Sequence, residues 1–266
     1  MTVIDFHTHA FPDSLAARAI AHLESEANHI WKAKLDGRIS SLVASMDAAG
    51  VDRSIVCPIA TKPEHFEGIL KWCLAIRSDR IVPLASVHPA AADVAGQLAQ
   101  IAEAGLAGIK LHPMYQDFDL DDLRLDPLYA AATRHKLLVV VHCGHDIAYF
   151  GSTQGHPHRL AAVHRKYPEL MLVATHLGGF RVWDEVRRHL LGTGMWMETS
   201  FTLGWMPEQD VLDIIRRHGP EHILFGTDSP WADQAAEIAR LRALPISEEE
   251  KVAILGGNAL RALNGS

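Results

Sequence analysis

The chain has 266 residues, 48% of them hydrophobic and 21% charged, with a net charge of −7 at neutral pH. That length suits one α/β barrel with a large buried core. The mild, dispersed negative charge, without any basic run to track phosphates, argues against a nucleic-acid partner. Three cysteines without paired spacing argue against a disulfide framework, and no apolar stretch is long enough to span a bilayer.

In chain order, the first β-branched run covers residues 3–7 and opens the sequence directly, which predicts no signal peptide and a reducing, cytoplasmic setting. Further strands are predicted at 53–58, 81–87, 107–111, 137–142, 170–175, 195–200 and 223–227. The nearly continuous apolar runs Leu137 to Val141 and Leu170 to Ala174 are those of parallel strands covered on both faces. Helical spacing of three and four occupies 63–77, 93–104, 122–135, 158–167, 208–218 and 232–243. A last helix starts at Ser247, with Glu249 and Glu250 in its first turn. Eight strands alternating with helices predict a single (β/α)8 TIM barrel over 1–266. An open doubly wound sheet is the rival, disfavoured in its dinucleotide-binding form because no glycine-rich loop follows the first strand. Two longer connections, 10–52 and 145–157, are expected to shape a pocket.

The chemistry-bearing residues cluster at predicted strand ends. In Asp5-Phe6-His7-Thr8-His9, residues two apart share a side of an extended strand, so His7 and His9 can converge on one cation. His142 and His176 each end an apolar run, Asp228 follows the strand 223–227, and Lys110 lies in Gly108-Ile109-Lys110-Leu111-His112-Pro113. Burying such groups unpartnered costs several kcal/mol, whereas at the C-terminal mouth of a barrel they can meet around one ion. Imidazole and carboxylate without thiolate suit Zn²⁺ and tolerate Mn²⁺, Fe²⁺, Co²⁺ or Ni²⁺. Cys143 points away and is expected to pack.

These motifs, with Thr175-His176-Leu177-Gly178-Gly179, Phe225-Gly226-Thr227-Asp228-Ser229-Pro230-Trp231 and Gly256-Gly257-Asn258-Ala259, resemble the amidohydrolase superfamily, specifically the branch of metal-dependent hydrolases and non-oxidative decarboxylases. The resemblance implies a metal held by His7, His9, His142 and Asp228, with Asp228 and His176 catalytic. It implies one ion, and a second if Lys110 is carboxylated and so becomes a ligand. A plain ammonium there would be repelled, which leaves Lys110 carbamylated, neutral or turned toward a substrate anion. His112 and Trp231 are candidate substrate contacts, as are His145 and Asp146, while His88 is a weaker one. Glu198 and Ser200 share a side of strand seven and either orient other groups or simply pack. The expected activity is hydrolysis of an amide, lactone or ester-like bond in a small molecule by metal-activated water. The alternative is decarboxylation of a small unsaturated or aromatic acid, for which Arg181 would supply a cation; a non-catalytic metal-binding barrel is the third. A small-molecule substrate is the expected partner, with no nucleic acid or membrane, and a homo-oligomer is compatible with the sequence.

Overall fold

The computed structural model describes residues 1–265. Its strands are β1 (Ile4–Thr8), β2 (Arg53–Val56), β3 (Ile81–Pro83), β4 (Gly108–Leu111), β5 (Leu138–Val141), β6 (Leu172–Ala174), β7 (Trp196–Glu198) and β8 (Ile223–Leu224). Every ladder is parallel, in the orders β1-β2-β3 and β4-β5-β6-β7-β8. Two seams join these arcs. Ala85 bridges to Ile109 between β3 and β4, with Lys110 N–H donating to Ala85 O at 2.9 Å. Thr8 bridges to Ser229, and Phe6 N–H donates to Phe225 O at 2.7 Å, so the last strand returns to the first. The ring is therefore closed, as the alternation predicts.

Alternate residues of a strand face opposite sides. Accordingly Leu138 and Val140 join Ile4, Phe6, Ile55, Leu84 and Leu224 in one core cluster. Val139 and Val141 join the larger cluster shared with the surrounding helices. Those helices are α1 (Asp13–Glu26), α2 (Ile39–Ala49), α3 (Phe66–Ile76), α4 (Val94–Glu103), α5 (Asp126–Arg134), α6 (Pro157–Lys166), α7 (Trp183–His189), α8 (Glu208–His218), α9 (Gln234–Ala243), α10 (Glu248–Val252) and α11 (Asn258–Leu263).

Three local differences from the sequence reading have physical causes. The hydrogen-bonded strands are shorter than the apolar runs, because the last residues of each run bend into the loops at the mouth. Helix α7 has no counterpart among the predicted helices. It has only seven residues and buries a single one, Val186, which is too little for a periodic stripe. The final helix starts with a capping box between Ser247 and Glu250, but a π-helical turn over Ala253–Gly257 interrupts it before α11. There the backbone runs against the start of β1, where a methyl group on Gly256 would lie 2.1 Å from Thr2 O.

Candidate active site

The C-terminal ends of the strands open into a cavity of about 610 Å³ lined by His7, His9, Lys110, His112, His142, His176, Asp228 and Trp231, among others. His7 and His9 do converge: their Nε2 atoms are 3.1 Å apart, and Asp228 Oδ1 lies 3.0 Å from His9 Nε2 and 3.5 Å from His7 Nε2. Lys110 is fully buried, with Nζ 3.0 Å from His7 Nε2. Among the described residues, no carboxylate comes within 4.0 Å of that amine.

Hydrogen bonds fix which histidine nitrogens carry lone pairs. Burial opposes ionisation of Glu198, but His7 and the donors around the carboxylate outweigh it and bring its pKa to about 2. Those donors are Ser200 N–H at 2.6 Å, Ser200 O–H at 2.8 Å and His176 N–H at 3.0 Å. An ionised carboxylate only accepts, so His7 Nδ1, 3.0 Å from Glu198 Oε1, must be the donor. Burial and the nearby Lys110 lower the His7 pKa to about 4, so the ring is neutral near pH 7 and its Nε2 is a bare lone pair facing the cavity.

The same logic holds for the second pair of imidazoles. His176 Nδ1 lies 3.1 Å from the carbonyl Ser200 O and 2.8 Å from Ser200 Oγ, so Nδ1 carries a proton and Nε2 is the nitrogen turned toward His142. His142 Nε2 lies 3.2 Å from His145 O, which leaves Nδ1 unprotonated; burial, then His112 and His176, hold this imidazole well below its usual pKa. His142 Nδ1 and His176 Nε2 meet at 3.2 Å. In the neutral form of this tautomer Nε2 faces the cavity as a lone pair, the form that suits a ligand or a base.

Two sets of donor atoms thus face the cavity: His7 Nε2, His9 Nε2 and Asp228 Oδ1, and His142 Nδ1 with His176 Nε2. Asp228 Oδ1 is buried and accepts no hydrogen bond. Burial would raise its pKa, but the imidazoles of His7 and His9 outweigh that and hold the carboxylate well below its usual value. A buried carboxylate oxygen beside two imidazole nitrogens suits a divalent cation. His142 does not join the first set. It stands with His112 and Asp146, whose donor atoms lie within 4.8 Å of one another, and its ring stacks on His112 at 4.2 Å.

The backbone positions this chemistry at some cost. His176 and Asp228 hold left-handed φ values of 59° and 63°, a strain tolerated where it aims a side chain. Gly226 is obligatory for another reason: a methyl group there would sit 2.2 Å from Glu198 Oε2. Outside the site, Cys143 packs in the core as expected, its thiol pushed up to about 12 by burial. Neither His88 nor Arg181 lines the cavity. His88 Nδ1 instead accepts from Ala90 N–H, and the exposed Arg181 lies over the Phe180 ring.

The family model described as Amidohydrolase matches residues 4–265. The chain belongs to the amidohydrolase family. It is an enzyme of that family, on the TIM barrel its sequence predicts. Among curated proteins none matches it. Similar solved structures include an uncharacterised TIM-barrel protein from Bordetella bronchiseptica, 20% identical over 100% of this chain and 99% of that one, with a TM-score of 0.78. A 5-carboxyvanillate decarboxylase from Sphingomonas paucimobilis is 16% identical over 99% of both chains, at 0.73. A dihydroxybenzoic acid decarboxylase from Polaromonas, with bound manganese and 2-nitroresorcinol, is 16% identical over 99% of this chain and 97% of that one, also at 0.73.

Several cavity residues have no signal in the sequence: Trp31, Trp72, Tyr115 and Phe201 all line it. The long 10–52 connection is the one hint, since Phe11, Leu23 and Trp31 come from it. No helix of the described residues is long and apolar enough to cross a membrane.

Proposed function

We propose that this amidohydrolase hydrolyses an amide, lactone or ester-like bond in a small molecule, at a divalent metal centre held by His7, His9 and Asp228. The observation that carries the reading is the buried Asp228 Oδ1 set between the Nε2 atoms of His7 and His9. His142 and His176 offer the second set of donors, and a carboxylated Lys110 between the two sets would join them. When bound, a divalent cation polarises a carbonyl and lowers the pKa of water. Asp228 accepts the proton from the attacking water as the new C–O bond forms. It returns that proton to the leaving nitrogen or oxygen as the old bond breaks. His112 and Trp231 contact the substrate from the cavity wall. The imidazole-rich donor set supports zinc first, with manganese, iron, cobalt or nickel as substitutes. Three free, buried cysteines support a reducing, cytoplasmic setting.

The second reading is decarboxylation of an aromatic or unsaturated acid on the same residues, favoured by the decarboxylases among the structural neighbours. A product-resolved screen separates the two. Metal-loaded enzyme is offered lactones, amides, esters and aryl carboxylic acids, with dissolved CO₂ followed alongside. Acid and alcohol or amine products without CO₂ support hydrolysis; release of CO₂ from an acid, with no hydrolytic turnover, rejects it.

A further inference from the structure

An aromatic cluster forms one wall of the cavity beside His176. The Phe201 ring lies 6.1 Å from that of His176, centroid to centroid, and Trp31 meets Phe201 edge-on at 5.3 Å and 87°. Trp205, 45% exposed, packs behind both rings, 4.5 Å from Trp31 and 6.0 Å from Phe201. Ile59, Ile69 and Trp72, from the segment after β2 and from α3, add further apolar wall. Among the described residues, no arginine lines the cavity and its one lysine is Lys110, at the buried end beside His7. The carboxylates of Glu64, Asp146 and Asp228 line it as well.

We infer that the substrate carries a neutral aromatic or alicyclic ring next to its scissile carbonyl, and that an anionic substituent on that ring is selected against. The inference rests on the hydrolytic reading for the bond that is cleaved, but the ring preference follows from the wall itself. A ring can lie against the edge-to-face cluster, where apolar and aromatic contacts are gained over its whole surface. A carboxylate held against the aromatic rings, on the side away from the buried Lys110 and the metal centre, would surrender its water to a wall without arginine or lysine.

The test uses zinc-loaded enzyme and matched esters and anilides: an acetyl compound, a benzoyl compound, and the benzoyl compound with a para-carboxylate. The benzoyl member should exceed both others in kcat/KM by about tenfold or more, and Trp31→Leu should raise KM for the benzoyl member several-fold more than for the acetyl member. Equal or faster turnover of the para-carboxylate overturns the inference and leaves hydrolysis standing. If no ester or anilide is cleaved, the hydrolytic reading fails. The ring preference is then read from quenching of tryptophan fluorescence by benzamide and by 4-carbamoylbenzoate. Tighter binding of benzamide supports the inference, and equal or tighter binding of the anion overturns it.

Discussion

His142 Nδ1 faces His176 Nε2 across 3.2 Å, and neither nitrogen has a proton to offer the other while both rings are neutral. Two lone pairs at that separation call for a shared positive charge, either a proton or a metal ion. With a carboxylated Lys110 alongside, the metal option is a second ion. Purification with bicarbonate and excess zinc should then give about two ions per chain, read by plasma mass spectrometry. Lys110→Ala should return the count to one. A constant count of one, with no added mass on Lys110, would rule the bridge out.

The first donor set makes a simpler claim. Replacing His7 and His9 together by alanine should abolish stoichiometric metal while the circular dichroism spectrum keeps its barrel signature. Full metal retention in the double variant would remove these residues from the centre.

Asp228→Asn and His176→Asn should each lower turnover on the true substrate by about 10²-fold or more, the usual scale for a general acid or base. For His176→Asn the first metal should remain bound. Near-normal rates in either variant would show that the proton is handled elsewhere.

The folded protein made the metal site only partly legible in its sequence. His142, His176 and Asp228 are conspicuous because each is a polar residue at the end of an apolar run, and a barrel sends such ends to one mouth. The distribution of the donors into two sets is not readable that way, because it depends on which ring nitrogen faces inward. Those orientations come from Ser200 and the His145 carbonyl, whose contacts exist only after folding. Glu198 reads equally well as interior packing until its place beside His7 is seen. Trp31 and Trp72 lie in segments whose position over the mouth is purely tertiary.

Glu198 provides the test of that tautomer control. Glu198→Gln can still accept from His7 but no longer fixes the proton on Nδ1, and metal affinity should fall about 10–100-fold, as for other groups that orient ligand histidines. Gly226→Ala should reproduce the loss, because its methyl group displaces the same carboxylate. Isothermal titration with zinc reads both; unchanged affinity in Glu198→Gln would reduce the residue to packing.

A carboxylate far from this chemistry should govern pH stability. Glu237 pairs with Arg240 and leaves Oε2 buried without a partner, and burial raises its pKa from 4.5 to about 7. A folded-state pKa above the unfolded value means the contribution is fully present below pH 4.5. It is lost as pH rises through about 7, at a cost of about 1–3 kcal/mol. Thermal denaturation at pH 5 and pH 8 should show a smaller difference for Glu237→Gln than for the wild type. An equal difference would clear Glu237.

The seam between β1 and β8 has one further consequence. It is held by the bridge from Thr8 to Ser229, a few backbone bonds and the Asp5 carboxylate accepting from Thr227, and it lies beside His7, His9 and Asp228, which come from opposite ends of the polypeptide. A cation gripped there fastens the barrel like the clasp of a bracelet, because its binding energy is available only while the first and last strands stay side by side. Chelation should therefore loosen the ring at this one join before any other stave gives way, and a protease should make its first cuts in the flanking segments.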